Sequence, residues 1–379
     1  MLTIRYVKVE GAGIKDGSSW KDASDNIQKM IDSSEAGDQI WIASGTYFTG
    51  FQMKDGVNVY GSFLGDENNI NARPIGNSSP HWDFKTPTVL NGATLFQYHN
   101  FSNKTICDGI TIANATWSVE IKKNGQLTNC IVKGNKTELI NGLNPCGGGI
   151  FNKGGTVDNC KVMENTNNSV SGGGGIYNYE GIVSNCIISG NKSNTGNGGG
   201  IYNYRGSIIN CVISENTASC FSSAACGGGI YNDGGSIIGC TIIKNTAVSP
   251  IGYSSSGGGI YCTDSSNSIV SDCAVINNKT MNNVQSGNGG GIFRGKVTRC
   301  VLIENNSGSG GGLFQCIADN CLILNNNAAI YGGGIFEGIS TNCTVIDNTV
   351  NYSDGGICTG IVSNCFFTVE QFQSNLMKK

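Results

Sequence analysis

Charge is what this sequence has least of. Asp, Glu, Lys and Arg make up 13% of its 379 residues, about half the share in an ordinary soluble domain. The net charge is −3 and no run of Lys or Arg stands out, so the electrostatic footprint of a nucleic-acid-binding protein is missing. Proline is scarce at 5 residues, which excludes a collagen-like or Pro-rich linker chain. No stretch approaches the roughly 18 apolar residues of a membrane-spanning helix. The opening Met1-Leu2-Thr3-Ile4-Arg5 carries no apolar signal segment and no small-residue cleavage site. Either the chain is not exported by that route or a signal has been trimmed from it.

Glycine, asparagine and cysteine are present in excess instead. The 57 Gly and 47 Asn together exceed a quarter of the chain. That share suggests low complexity, but 39% hydrophobic residues and a low net charge oppose disorder. A count of 17 Cys would mark a disulfide scaffold in a short secreted chain, yet the spacing is that of a repeat.

Ten of the Cys sit in one repeated phrase, apolar-x-Asn-Cys-x-apolar-x-x-Asn, with Gly239, Asp272 and Arg299 replacing the first Asn in three: Cys130, Cys160, Cys186, Cys211, Cys240, Cys273, Cys300, Cys321, Cys343 and Cys365. In all but the last, Asn follows five residues on, from Asn135 to Asn348. Between successive Cys lies Gly-Gly-Gly-Ile-aromatic, its Ile or Leu running from Ile150 to Ile357. The step from that Ile to the next Cys is 8 to 13 residues, and from Cys onward 13 to 20. Insertions therefore gather at one corner of a stacked array. Each repeat holds three short apolar pieces separated by Gly and Asn, which read as strands at tight turns rather than helices. Both residues suit the left-handed corners such turns need. Three strands per coil, in register, make a parallel β-helix whose coils repeat every ~4.8 Å.

The combination of Gly-Gly-Gly-Ile-Tyr-Asn with Ile-x-x-Asn resembles the repeats of right-handed parallel β-helix surface proteins. Among these are the chlamydial polymorphic outer-membrane proteins, whose repeats carry Gly-Gly-Ala-Ile and Phe-x-x-Asn. Here Gly replaces that Ala, and Ile, Met or Val stands near the Phe position. The N-terminal part is similar to bacterial secreted β-helix proteins at Gly17-Ser18-Ser19-Trp20, Ala36-Gly37-Asp38-Gln39-Ile40-Trp41-Ile42-Ala43, Gly45-Thr46-Tyr47 and Asp55-Gly56-Val57. The fold expected is all-β: a single-stranded right-handed parallel β-helix solenoid of about 12 coils, roughly 55–60 Å long, with an N-terminal amphipathic helix cap. Trp20, Ala23, Ile27, Met30 and Ile31 supply that cap's apolar face over residues 20–33. Residues 1–63 form the cap and first coil, 64–106 an irregular excursion and early coils, 107–367 the regular repeats, and 368–379 a tail or cap. Within the excursion, Arg73, His81, Trp82 and Asp83 form either a site or part of a packed flap.

Site candidates follow from the columns. A single Cys per coil cannot converge on a metal, and in-register coils hold Cβ atoms farther apart than the ~3.8 Å of a disulfide. The column therefore reads as a ladder of buried free thiols. Cys220 and Cys226 share one corner loop and are placed to pair, while Cys146, Cys262, Cys316 and Cys358 have no assigned role. No metal and no cofactor is expected.

Phe151, Tyr177, Tyr202, Tyr231, Tyr261, Phe293, Phe314 and Phe336 form an aromatic stripe. If each preceding Ile points inward, the rings point outward, toward glycans or a partner protein. The alternative is a ring stack used only for packing.

The densest charged cluster is Asp264, Asp272, Arg294, Lys296, Arg299 and Glu304. β-Helix polysaccharide lyases, which it resembles, use a basic group to take the proton beside a uronate carboxylate and a charge stabiliser for the enolate. A surface salt-bridge network accounts for the same residues. In the late coils Val301, Ile303, Leu322, Leu324, Ile346 and Phe366 make an outward apolar patch. It implies either a cover from the tail, through Val369, Phe372, Leu376 and Met377, or self-association.

The low charge favours a non-enzymatic extracellular or cell-surface protein of adhesin type, an extracellular setting being implied by the resemblance. Its partner would be a polysaccharide or a surface protein. The alternatives are a polysaccharide lyase or glycoside hydrolase acting on acidic polysaccharide, and a self-associating fibre subunit.

Overall fold

Short extended pieces between left-handed corners leave the chain one economical way to pair its strands: each lies beside its counterpart in the next coil. The computed structural model describes residues 2–76, 82–97, 99–138, 146–169, 172–220, 223–250, 252–263, 267–281, 287–351 and 355–367. Its strands form three long parallel sheets of 21, 13 and 9 strands, and a 2-stranded sheet pairs Phe51–Gln52 with Leu95–Phe96. The molecule is a right-handed parallel β-helix. Thirteen strands in the second sheet, at ~4.8 Å per step, make the rod roughly 58 Å long.

Register is one-to-one. Ile176 pairs with Ile201, Ile201 with Ile230 and Ile230 with Ile260, so like stacks on like. The inward columns are apolar and closed to solvent: the Ile150-to-Ile357 column, Val157 to Val297 on the same sheet, and Val162 to Val345 on the second sheet.

Asparagine has two separate jobs. The residue before each Cys turns the first corner in the left-handed region, at φ 51° for Asn129, 48° for Asn159, 53° for Asn185 and 52° for Asn210. The Asn five residues after each Cys is instead buried and forms a ladder. Asn191 shows the pattern: its backbone N–H and its Nδ2 both donate to Asn216 Oδ1, at 2.9 and 3.0 Å, and its Nδ2 also reaches the Val162 carbonyl at 2.9 Å. The ladder runs from Asn135 to Asn348, every rung at most 1% exposed. A left-handed corner costs a non-glycine residue about 1–2 kcal/mol. Glu164, Glu215, Lys244 and Glu304 take such corners just before the ladder Asn, where the amide bonds offset that cost.

The sequence pattern does not distinguish a second amide ladder. Asn152, Asn178, Asn203 and Asn232 point inward on the first sheet, joined Nδ2 to Oδ1 at 2.8 Å each. Their Nδ2 groups also donate to the carbonyls of Gly155, Gly181, Gly206 and Gly235. The third corner is where coils approach most closely: a Cβ on Gly199 would lie 2.2 Å from the Gly228 carbonyl oxygen, so only glycine fits.

The N-terminal cap is shorter than the periodicity suggests. A 3₁₀ turn at Trp20–Asp22 and an α-helix at Ile27–Asp32 replace one continuous helix. Strand pairing is the cause, because Ser24 donates to Tyr6 O and accepts from Lys8 N at 2.9 Å each, holding the intervening backbone extended. Ile27, Met30 and Ile31 still close the end of the core. The sheet begins at strand Ile4–Val7, which pairs with Gln39–Ala43.

Removing one ladder amide orphans several buried groups at once. Asn216→Ala should destabilise the rod by about 3 kcal/mol or more, at ~1–3 kcal/mol per orphaned group. Thr217→Ala, one position on and half-exposed, should change little. Thermal and urea unfolding of the two variants checks this, equal stabilities being the contrary result.

Candidate functional site

Period-2 alternation sets what the first sheet shows to solvent. The residue after each buried Ile faces outward, giving the column Glu120, Phe151, Tyr177, Tyr202, Tyr231, Tyr261, Phe293, Phe314 and Phe336. Its rings touch in sequence, with centroids 4.6 to 5.4 Å apart. From Tyr202 to Phe314 they lie nearly parallel, so each ring covers its neighbours' faces. Phe293 and Phe314 are buried, and the four tyrosines are half-buried. The phenol hydroxyls of Tyr177, Tyr202, Tyr231 and Tyr261 make no hydrogen bond to protein among the described residues. They are also absent from the buried polar atoms lacking a partner, so they reach solvent. Burial of the rings pushes all four phenols above their usual pKa.

The stack breaks at Tyr177. Its ring stands at 76° to Tyr202 and at 86° to Tyr179. Tyr179 belongs to a second outward column, Lys122, Lys153, Tyr179, Tyr204 and Asp233, again in register. Tyr179 and Tyr204 stack at 4.9 Å. Lys153 Nζ lies 5.9 Å from the Tyr179 ring, and the Arg205 guanidinium 4.9 Å from Tyr204. Beside Tyr179 is a cavity of about 340 Å³ lined by Asn100, Lys123, Lys153, Gly154, Tyr179 and Glu180. The sequence signal for this second column was the Tyr-x-Tyr of Tyr177-Asn178-Tyr179 and Tyr202-Asn203-Tyr204, present in only two coils and therefore hidden by the repeat.

The charged cluster is distributed over several corners. Arg299 forms a two-pronged pair with Asp272, Nε to Oδ1 at 2.7 Å and Nη2 to Oδ2 at 2.8 Å, on the exposed corner before the Cys. The bond to Arg299 lowers the Asp272 carboxyl pKa. Glu304 sits at the next corner. Arg294 lies over Phe293 at 4.9 Å and donates to Gln315 Oε1 at 3.1 Å, and Lys296 projects from its strand into solvent. Only Asp272 and Arg299 are ion-paired among the described members. Asp264 lies outside the described residues.

Nine of the ten repeat Cys are buried, Cys365 is half-buried, and none of the 17 Cys is in a disulfide, so Cys220 and Cys226 do not pair with each other, nor are Cys146, Cys262, Cys316 and Cys358 bridged. Successive rungs are linked by backbone N–H to sulfur contacts, such as Cys211 N to Cys240 Sγ at 3.4 Å. Cys262 ends the second amide ladder, receiving Asn232 Nδ2 at 3.9 Å.

The excursion docks through Arg73. Its Nη1 meets Asp108 Oδ1 at 2.6 Å, both side chains nearly buried, and its guanidinium lies over Phe84, Phe63 and Tyr60. Asn129 Nδ2 donates to the other Asp108 oxygen. Burial raises the Asp108 carboxyl pKa, against the pull of Arg73. Trp82 is buried and Asp83 exposed, while His81 lies outside the described residues.

On the second sheet Ile243, Ile276, Ile303, Leu324 and Ile346 align outward, with Val301 and Leu322 beside them. All are half-exposed, and Phe366 at the end is 64% exposed. The tail 368–379, with Val369, Phe372, Leu376 and Met377, lies outside the described residues. No helix of the described residues is long and apolar enough to cross a membrane.

With this geometry in view, residues 239–263 match the Chlamydia polymorphic membrane protein repeat. No curated protein matches the sequence. Three solved structures illustrate the likeness of fold. The catalytic unit of a thermostable GH87 alpha-1,3-glucanase from Streptomyces thermodiastaticus is 11% identical with a TM-score of 0.48, covering 95% of this chain and 68% of that one. The tailspike protein gp49 from Acinetobacter baumannii bacteriophage Fri1, a capsular polysaccharide depolymerase, is 12% identical with a TM-score of 0.40, covering 91% and 60%. The mannuronan C-5 epimerase AlgE4 A-module of Azotobacter vinelandii is 12% identical with a TM-score of 0.34, covering 96% and 97%. No residue role carries over at these identities.

Two outcomes follow. The thiol of the preceding coil and then burial push Cys240, Cys273, Cys300 and Cys321 up to about 12. Folding thus favours the neutral thiol. That stabilisation is complete below the ordinary thiol value of about 8.5 and is lost as pH rises through about 12. At pH 8 the nine buried rungs should be silent to a thiol reagent in the native protein, all 17 thiols reacting in denaturant, and the melting temperature should fall from pH 9 upward. Separately, Arg73→Ala strands the Asp108 carboxylate at a cost of about 3–5 kcal/mol. Faster proteolysis within residues 64–87 is the expected readout, relieved in part by adding Asp108→Asn.

Proposed function

We propose that this chain is a non-enzymatic, extracellular or cell-surface rod of adhesin type that binds glycan along the outward face of its first sheet. One observation carries the reading: Tyr202, Tyr231 and Tyr261 stack at 4.6 to 5.0 Å with Tyr177 edge-on at the end of the row, and none of the four hydroxyls has a protein partner among the described residues. A rigid row of donors and acceptors loses little entropy on binding and suits the repeating hydroxyls of an oligosaccharide. Because adjacent ring faces are occupied by one another, recognition uses hydroxyls and ring edges over most of the row. The extracellular setting rests on the matched repeat and on the resemblance to secreted β-helix proteins.

The apolar line from Ile243 to Ile346 favours a second reading, self-association into a fibre through the second sheet. Concentration-dependent sedimentation, reversed by Ile303→Lys, would support it.

Tyr202→Phe with Tyr231→Phe removes two hydroxyls and keeps the stack. In a glycan array followed by calorimetry, this double variant should bind about tenfold more weakly, some 1.4 kcal/mol, at unchanged melting temperature. Unchanged affinity would reject the reading. So would turnover of a polyuronate, seen as rising absorbance of the unsaturated product and abolished by Arg294→Ala.

A further inference from the structure

We infer that the cavity beside Tyr179 is a subsite for a carboxylate-bearing sugar, an inference that rests on the glycan-binding reading and names its ligand class. Along the main row, ring faces are consumed by stacking, so nothing there grips a pyranose by its apolar face. The break at Tyr177 is different. Its ring is turned across both Tyr202 and Tyr179. Tyr179 stacks on Tyr204 through one face, carries Lys153 Nζ over its ring at 5.9 Å, and lines the cavity. An aromatic wall therefore borders about 340 Å³ of space, the small end of the ~300–1,000 Å³ range for ligand pockets.

Charge decides which sugar fits. Lys123, Lys153 and Glu180 are the charged groups lining the cavity, two cations against one carboxylate. Neither Lys123 nor Lys153 is in an ion pair among the described residues. Lys122 is in register with Lys153, and its Nζ is 3.0 Å from Glu120 Oε1, which neutralises that neighbour. Asp233 ends the same column beyond Tyr204, and Arg205 turns the corner after Tyr204, so the positive end of the column is the Lys122–Lys153 end. In a chain with so few charges, two unpaired lysines at the mouth of an aromatic-walled cavity form a local anion site. The sugar carboxylate is taken between Lys123 and Lys153, its ring lies against the exposed edge of Tyr179, and Asn100 and Glu180 meet its hydroxyls. From there the oligosaccharide continues along the tyrosine row.

The test uses the full chain, a linear hexagalacturonate and the same oligosaccharide with its carboxyl groups reduced, by calorimetry at low and moderate salt. The wild type should bind the uronate at least tenfold tighter than the reduced form, a preference that shrinks with salt. Lys123→Ala with Lys153→Ala should bring that ratio near one; both side chains are exposed, and an unchanged melting temperature confirms folding. Equal affinities in the wild type, or a ratio unmoved in the lysine variant, would overturn the subsite while leaving glycan binding standing. Binding that depends on the lysines but not on the Tyr202 and Tyr231 hydroxyls would do the reverse. If neither oligosaccharide binds, both inferences fall.

Discussion

The buried amide ladder is the interaction on which the rest of this structure depends. A coil that turns sharply must bury backbone and side-chain polar groups at its corners, and each such group is costly unless hydrogen-bonded. From Asn135 to Asn348 the solution is the same at every rung: the amide of one coil satisfies the backbone and amide of another. Because the bonds run between coils, no rung is complete alone. Register, corner geometry and strand length are thereby locked together, and the Ile, Val and Cys columns fall into line beneath. The same logic explains the low charge: a residue placed inward is repeated in neighbouring coils, and a repeated buried charge would be untenable.

Strict register also determines what the outside can do. Outward residues repeat at the strand spacing, so the aromatic column stacks upon itself and becomes partly structural. What remains for recognition are the hydroxyls of that column and the places where repetition fails. Tyr177 is one such place, and the lysine-lined cavity beside Tyr179 lies next to it. The excursion is another departure, held by Arg73 in a cage of Tyr60, Phe63, Phe84 and Asp108 that serves docking. Apolar residues on the late second sheet mark a third. Irregularity in a solenoid is therefore where function is to be sought.

Much of this was legible from spacing alone. Asn at a fixed offset from Cys, and Gly-Gly-Gly-Ile ahead of an aromatic, determined a parallel solenoid, its three strands per coil and the corner that accepts insertions. Each of those features is set by local chemistry: left-handed tolerance, absence of a Cβ, period-2 alternation. Spacing did not separate the two kinds of Asn, because the residue that turns a corner and the residue that bonds across coils have the same side chain. Nor did it show that Ser24 would interrupt the cap helix, since that depends on a strand near Tyr6. Likewise, proximity in sequence gathered Arg294, Lys296, Arg299, Asp272 and Glu304, which the corners then distribute around the coil. Only the folded rod decided that Tyr177 turns its ring, that Lys123 and Lys153 share a cavity from different coils, and that Arg73 finds Asp108. Those are contacts between residues far apart in the chain, and no local pattern encodes them.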